Sequence, residues 1–459
     1  MKRIKTDILV IGAGSGGLSV AAGAVQMGAK VVLLEGHKMG GDCLNYGCVP
    51  SKALLSEAKR ALHERVDYAE ANDRVHDVIE TIAPVDSQER FEGLGVHVIR
   101  EFGRFISPTE VQAGDTVIEA RRIVIATGSS PFVPPIPGVE DVTYYTNETI
   151  FDLRERPDHL LIIGGGPIGM EMAQAHSRLG SKVTVIEGQK AMGKDDPEAA
   201  AIVLEQLRAE GIEIIEDAQA ERIAETEGRI TIETPKGSFS GSHLLMAVGR
   251  KVNIDKLDLD KGNVAHDRAI KVDASLRSTT NKRVYAVGDA AGGLQFTHVA
   301  GYHAGVIIRS MLFGLPSKAK TAHIPWVTYT DPELAQVGLT EAQAKKEHGS
   351  HAVTIARFET HENDRAIATG QTAGFIKVMV VRGKPVGATI VGAQAGELIG
   401  MWAMAIANGL KMSAVANTVL PYPTLSEINK RAAGAYFSPK LFDNPMVKRV
   451  VGFIQKYRP

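Results

Sequence analysis

Cysteine is nearly missing from this chain: Cys43 and Cys48 are the only two in 459 residues, and they stand five positions apart. A disulfide scaffold needs several bridges along a short secreted chain, so that architecture is excluded. One tight pair in a long chain reads instead as a redox or metal-binding couple in a reducing compartment. Excess charge of either sign is missing too. The 52 basic and 53 acidic side chains sum to −1, which leaves no global positive field to concentrate nucleic acid. Convincing bilayer spans are also lacking. The uncharged run 8–29 follows Lys2, Arg3 and Lys5 much as a signal peptide would, yet it holds six glycines, and the uncharged run 290–308 carries two histidines, a glutamine and four glycines. A cytoplasmic protein is expected. What is present is a globular composition, 44% hydrophobic and 23% charged, at a length that allows about three domains.

The 47 glycines are concentrated in an internal repeat. Residues 7–36 align without a gap on residues 159–188, sharing Gly12/Gly164, Gly14/Gly166, Gly17/Gly169, Gly28/Gly180 and Glu35/Glu187. A cleaved leader has no reason to be copied into the chain interior. Each copy opens on an apolar run, Ile8-Leu9-Val10-Ile11 or Leu160-Leu161-Ile162-Ile163, of the kind carried by a parallel strand buried on both faces. A GxGxxG triplet follows, then a helix-compatible stretch ending on Gly28 or Gly180, then a second apolar strand closing on the glutamate. This is a βαβ unit written twice. The first glycine makes the strand-to-helix turn, the second lets backbone reach a pyrophosphate, and the third lets helix and strand pack closely. The helix N-terminus offers N–H groups to phosphate, and the acid accepts from ribose hydroxyls.

A lone glycine triplet is weak, but here each triplet is followed by an acid 23 positions after its first glycine. Two dinucleotides are implied. The pairing that gives them joint work is a flavin and a nicotinamide exchanging a hydride. Glu187 favours NAD over NADP, because a carboxylate there accepts from a free 2′-hydroxyl and repels a 2′-phosphate. Gly188 and Gln189 add no arginine, and Lys190 is the nearest cation.

The cysteines lie in Gly40-Gly41-Asp42-Cys43-Leu44-Asn45-Tyr46-Gly47-Cys48-Val49-Pro50-Ser51-Lys52, followed by the helix-friendly Ala53-Leu54-Leu55-Ser56-Glu57-Ala58. A cysteine near a helix start and a lysine can be held as thiolate, its pKa drawn from ~8.5 into the ~3.5–7.5 range. The bland readings are a structural disulfide or half of a zinc site; zinc would need two more ligands, and no cysteine remains.

At this segment the chain resembles the class I pyridine nucleotide-disulfide oxidoreductases, the family of dihydrolipoamide dehydrogenase, glutathione reductase and mercuric reductase, and the resemblance covers essentially all of the chain. It implies an α/β fold with two Rossmann-like dinucleotide-binding domains, for FAD and NAD, plus an α+β C-terminal dimerisation domain. The implied boundaries are 1–149 for the first part of the FAD domain, 150–265 for the NAD(P) domain, 266–322 for the second FAD or central part, and 323–459 for the interface domain. It also implies an FAD-dependent enzyme acting on a sulfur group, a homodimer with each active site completed across the interface, and no resident metal.

Residue by residue, the resemblance makes Cys48 the thiol against the flavin and Cys43 the outer thiol that exchanges with substrate, cycling between disulfide and dithiol. Lys52 sits near the flavin and pairs with Glu171. Gly12, Gly14, Gly17, Glu35 and Gly41 fall on the FAD loop, and Gly103 falls where backbone passes the adenine. Gly128, in Ala126-Thr127-Gly128, and Gly249, in Ala247-Val248-Gly249-Arg250, end the strands that return from each dinucleotide domain. Asp289, in Val284-Tyr285-Ala286-Val287-Gly288-Asp289, holds the ribityl chain. Gly164, Gly166, Gly169 and Glu187 belong to the nicotinamide site. His298 either points at the flavin pyrimidine or is a polar cap at a helix start.

Departures from the family pattern are informative. The segment from Ile324-Pro325-Trp326 onward resembles the interface domain, where partner subunits contribute a His-Pro-Thr motif and a glutamate. Here the match reads Tyr422-Pro423-Thr424-Leu425-Ser426-Glu427. Imidazole near pKa 6.5 shuttles a proton between thiols at neutral pH, whereas a phenol near 10 stays protonated. Mercuric reductases resemble this chain in using tyrosine there, but they add a C-terminal cysteine pair that this chain lacks. Pro167 stands where glutathione reductases place a tyrosine lid.

The leading expectation is electron flow from NADH to FAD to Cys43–Cys48 to a disulfide or lipoyl-like acceptor. The alternatives are metal-ion or quinone reduction and a flavin-loaded binding protein with little turnover. In the tail, Met446, Val447, Val450, Val451, Ile454 and Tyr457 form an apolar stripe among Lys448, Arg449, Lys456 and Arg458. Packing against the chain's own fold or dimer partner is expected for it, ahead of contact with an anionic membrane.

Overall fold

A computed structural model describes residues 2–458. Two compact units are distinguished: the chain up to Gly188 together with Glu213–Lys320, and Gln189–Ile212 together with the chain from Thr321 onward.

In the first unit, Lys2–Ile11 runs parallel to Val31–Leu34, which runs parallel to His97–Ile99, and on its other side it pairs in parallel with Thr116–Ile125. The antiparallel strands Glu110–Ala113 and Gly103–Ser107 and the parallel strand Val284–Ala286 complete a seven-stranded sheet. Successive side chains of a strand point to opposite faces, so a wholly apolar run requires cover on both sides. Leu9, Ile11, Val32 and Leu34 enter one core cluster, and Ile8, Val10, Val31 and Leu33 enter the other. The helices Ser15–Gln26 and Thr297–Met311 cover the second face, through Leu18, Ala21, Ala24, Val306 and Ile307.

The second copy of the repeat builds a four-stranded parallel sheet in the order Glu213–Ile215, Lys182–Ile186, His159–Ile163, His243–Met246. The helix Pro167–Arg178 follows His159–Ile163 as Ser15–Gln26 follows Lys2–Ile11. An antiparallel meander, Arg222–Thr226, Arg229–Thr234 and Gly237–Gly241, is inserted before the last strand.

The second unit is built on a five-stranded antiparallel sheet in the order Pro325–Thr328, Glu333–Gly338, Lys384–Gly392, Phe375–Val381, Val353–Glu359. Its core centres on Trp402, fully buried, whose indole N–H donates to Asn429 Oδ1 at 2.7 Å. The helix Pro197–Ala209 groups with this sheet. The buried Lys377 ammonium is one link in that grouping: it meets Asp196 at 2.9 Å and Glu198 at 3.1 Å, as well as Glu341 at 3.0 Å, and a buried cation requires such partners.

In the tail, helix Pro445–Tyr457 forms and no residue of it is buried within the single chain, so of the two expected packings the one against the chain's own fold is not seen. Among the described residues, no helix is long and apolar enough to cross a membrane.

Candidate active site

Both glycine loops have the same construction. A Cβ on Gly12 would lie 2.4 Å from the Ala126 carbonyl oxygen, and one on Gly164 would lie 2.4 Å from that of Ala247; both glycines adopt positive φ, +106° and +115°. A Cβ on Gly17 or Gly169 would fall within 1.9 or 2.0 Å of the first glycine's own carbonyl oxygen. These four positions admit no side chain, for reasons internal to the fold. The middle glycines differ, since no atom lies within 4 Å of a Cβ on Gly166 and only Gly41 Cα, at 3.9 Å, approaches one on Gly14. Open space therefore lies directly before the helices Ser15–Gln26 and Pro167–Arg178, which have no side-chain cap and no acid in the first turn. Phosphate fits such a cradle.

Each following glutamate is aimed by the loop itself. Glu35 Oε2 accepts from Ala13 N–H at 2.8 Å and Oε1 from His37 N–H at 2.7 Å; Glu187 Oε2 accepts from Gly165 N–H at 2.7 Å. The residues present thus suit two dinucleotides.

Gly40 forms a bridge to Gly14, and Gly41, at φ +62°, would drive a Cβ to within 2.6 Å of Gly14 Cα. The start of the cysteine segment is thereby laced to the first glycine loop. Cys43 sits on the short helix Gly41–Asn45, and Cys48 is the first residue of the helix Cys48–Arg60. Both are free thiols, Cys43 half-buried and Cys48 exposed. They share a hydrogen bond that polarises the pair. Cys48 is lowered from 9.0 to about 6, first by that bond, then by the Thr297 hydroxyl at 3.5 Å and the Lys52 charge, against burial. Cys43 is pushed strongly up by the same bond, by burial and by the charge on Cys48. Lys52 Nζ meets Glu171 Oε2 at 2.8 Å, and the Glu171 side chain is only 6% exposed.

Several neighbours escaped the sequence reading. Arg250 donates to the Ser129 hydroxyl at 2.8 Å and its carbonyl at 2.6 Å, and pairs with Asp42 at 2.9 Å, the residue preceding Cys43. Asn147 donates to Asp42 at 3.2 Å and to the Tyr46 carbonyl at 3.1 Å. Ser129 donates to Asp289 at 2.5 Å; burial pushes the Asp289 carboxyl up, and that hydrogen bond and Arg250 oppose the shift. One polar network thus ties the cysteine segment to both returning strand ends. Thr297 likewise carried no signal, being separated from Cys48 by 249 positions.

Other candidates occupy simpler settings. Gly103 opens a strand where a Cβ would meet Leu34 Cδ1 at 2.6 Å and Val111 Cγ1 at 3.1 Å, so a side chain there would have to displace core side chains. Gly128 and Gly249 have positive φ, +63° and +139°, and open space. His298 is the second residue of Thr297–Met311, and its ring stacks on Phe296 with centroids 5.3 Å apart. In the second unit, Tyr422 is 68% exposed, and its hydroxyl donates to Asp364 Oδ2 at 2.8 Å. That bond and the Asp364 charge push the phenol further up. Glu427, half-buried, is the first residue of the helix Glu427–Ala435.

Comparison with known proteins assigns the chain to a family. Residues 6–304 match the pyridine nucleotide-disulphide oxidoreductase family, and residues 324–433 match its dimerisation domain. The chain belongs to this family. It is 34% identical over 454 residues to a mercuric reductase of Acidithiobacillus ferrooxidans, covering 94% of this chain and 82% of that protein. It is 32% identical over 457 residues to a dihydrolipoyl dehydrogenase of Geobacillus stearothermophilus, covering 94% and 96%. The structure of the HOCl-induced flavoprotein disulfide reductase RclA from Escherichia coli superposes with a TM-score of 0.85 at 29% identity, covering 93% of this chain and 99% of that one. The protein is accordingly an FAD-dependent, NAD(P)H-linked disulfide oxidoreductase with a dimerisation domain, and as in its family the working unit is a homodimer.

Proposed function

We propose that this oxidoreductase carries electrons from NADH through the Cys43–Cys48 pair to a thiophilic metal cation, with a lipoyl-type disulfide as the second reading. Gly12, Gly14, Gly17, Glu35, Gly41, Gly103, Gly128, Asp289 and His298 would hold FAD; Gly164, Gly166, Gly169, Glu187 and Gly249 would hold the nicotinamide dinucleotide. When bound, FAD supplies the two-electron relay between the reduced nicotinamide and the cysteine pair. The same reading divides the chain at 1–149, 150–265, 266–322 and 323–459, with Tyr422 and Glu427 reaching the partner subunit's dithiol.

The chain's own residues then do the following. Cys43, Thr297 and Lys52 hold Cys48 as thiolate, and Glu171 fixes the Lys52 ammonium. The Asp42–Arg250 pair and Asn147 fix the segment that carries Cys43. Cys43 keeps its proton, and that proton must leave before its sulfur can act.

The observation that carries the choice of acceptor is the hydrogen bond from Tyr422 to Asp364. A disulfide acceptor needs a base to take the Cys43 proton, and a phenol raised further by a carboxylate is a poor one. A soft cation needs none, because coordination itself displaces the thiol proton. The balance is one NADH and one divalent cation giving NAD+, a proton and the neutral metal. Both mercuric reductases and a Cu(II) complex of RclA stand among the similar proteins, which supports this class of acceptor.

NADH oxidation by the holoenzyme should be faster with mercuric ion than with lipoamide by at least about tenfold in kcat/KM. Tyr422→His should raise lipoamide turnover by about 10- to 100-fold, the lower range of general-base catalysis. Turnover on lipoamide above that on metal ion, with no gain in the variant, would defeat the proposal. Glu187 supports NAD as the coenzyme, and a lower KM for NADPH than for NADH would contradict that assignment.

A further inference from the structure

The helix Pro445–Tyr457 is capped by Asn444, whose side chain accepts from Met446 N–H at 2.9 Å. At 3.6 residues per turn, Met446, Val450, Val451, Phe453, Ile454 and Tyr457 fall on one arc. Lys448, Arg449, Gln455 and Lys456 fall on the other. The two arcs do not intermix. The apolar arc is open to solvent, with Met446 71%, Phe453 66% and Tyr457 63% exposed. The preceding short helix Ser438–Phe442 extends it with Leu441 at 50% and Phe442 at 68%. No acidic residue occurs from 444 to 459.

These features select among occupants. The match to the family's dimerisation domain ends at residue 433, before this helix begins. Self-association in a two-fold arrangement would bring two copies of the same cationic helix together, with no acid on either to compensate. An apolar arc facing a polar arc whose only charges are the cations Lys448, Arg449 and Lys456, with aromatic Phe453 and Tyr457 on it, is complementary to a surface that is apolar beneath and anionic above.

We propose that this helix lies in the headgroup region of an anionic lipid bilayer, its apolar arc toward the acyl chains and Lys448, Arg449 and Lys456 at the phosphate level. Each cation near such a surface contributes roughly a fivefold factor in partitioning. The attraction is screened within a Debye length and so falls with salt.

The test uses the FAD-loaded full-length protein and flotation with vesicles of phosphatidylcholine, alone or mixed in roughly equal parts with phosphatidylglycerol. The protein should bind the mixed vesicles at least about tenfold more tightly than the neutral ones. K448E/R449E/K456E should lower that binding by about 100-fold or more. F453Q/I454Q should abolish it, with NADH oxidation in solution and the dimer mass by light scattering unchanged. Because the charge variant alters only exposed polar positions, it also serves as the folding control, checked by circular dichroism. Equal binding to both vesicle types, or none, overturns the proposal. So does conversion of F453Q/I454Q to monomers, which would assign the apolar arc to a second copy of this chain.

Discussion

Cys48 and Cys43 differ in their protons because of what each touches. In the reduced protein, alkylation of Cys48 by iodoacetamide should be half-maximal near pH 6 and complete by neutrality, while Cys43 stays slow until Cys48 is blocked. Thr297→Val should shift the Cys48 profile upward, and Thr297→Ser should restore it. Since the folded pKa lies below the unfolded thiol's ~8.5, Cys48 contributes stability that is fully present above the unfolded pKa and lost as pH falls through about 6. Lys52→Met would remove the ammonium that meets the buried Glu171 carboxylate at 2.8 Å. Because Lys52 is itself 35% exposed, the cost should be only about 1–2 kcal/mol in urea unfolding of the holoenzyme. An effect below a few tenths would mean that other partners hold Glu171.

At the scale of elements, the repeated βαβ unit was the most legible feature in the sequence, because its constraints are steric and local. Gly12 and Gly17 collide with backbone when given a Cβ, and so do Gly164 and Gly169, so backbone geometry enforces the spacing in both copies. Gly169→Ala should therefore displace the helix Pro167–Arg178, costing about 2–4 kcal/mol and NADH binding with it. Gly166→Ala meets no protein atom within 4 Å; it should fold normally yet raise the KM for NADH. Equal stability of the two variants by thermal unfolding would contradict this reading of the loop. The network of Arg250, Asp42, Ser129, Asn147 and Asp289 was not legible, because residues such as Asp42 and Arg250 lie far apart in sequence and polar pairing has no period. The helix Pro445–Tyr457 lay between these cases: its amphipathic pattern was readable, but its exposure was not.

For the whole molecule, the paired Rossmann-like units followed from the repeat, while the C-terminal dimerisation domain followed from the family resemblance that the cysteine segment carries. The assignment of Gln189–Ile212 to the second unit did not, since it involves contacts such as those of Lys377 with acids some 180 positions earlier in the chain. In the proposed scheme, the Cys43–Cys48 dithiol of each subunit is the exit for electrons that enter as hydride. The most direct measurement compares NADH-driven reduction of mercuric ion with NADH-driven reduction of ferricyanide in Cys43→Ser and Cys48→Ser holoenzymes. The account predicts that each variant loses at least about 100-fold on mercuric ion while ferricyanide turnover stays within a few-fold of wild type. Undiminished mercuric-ion reduction in either variant would contradict it.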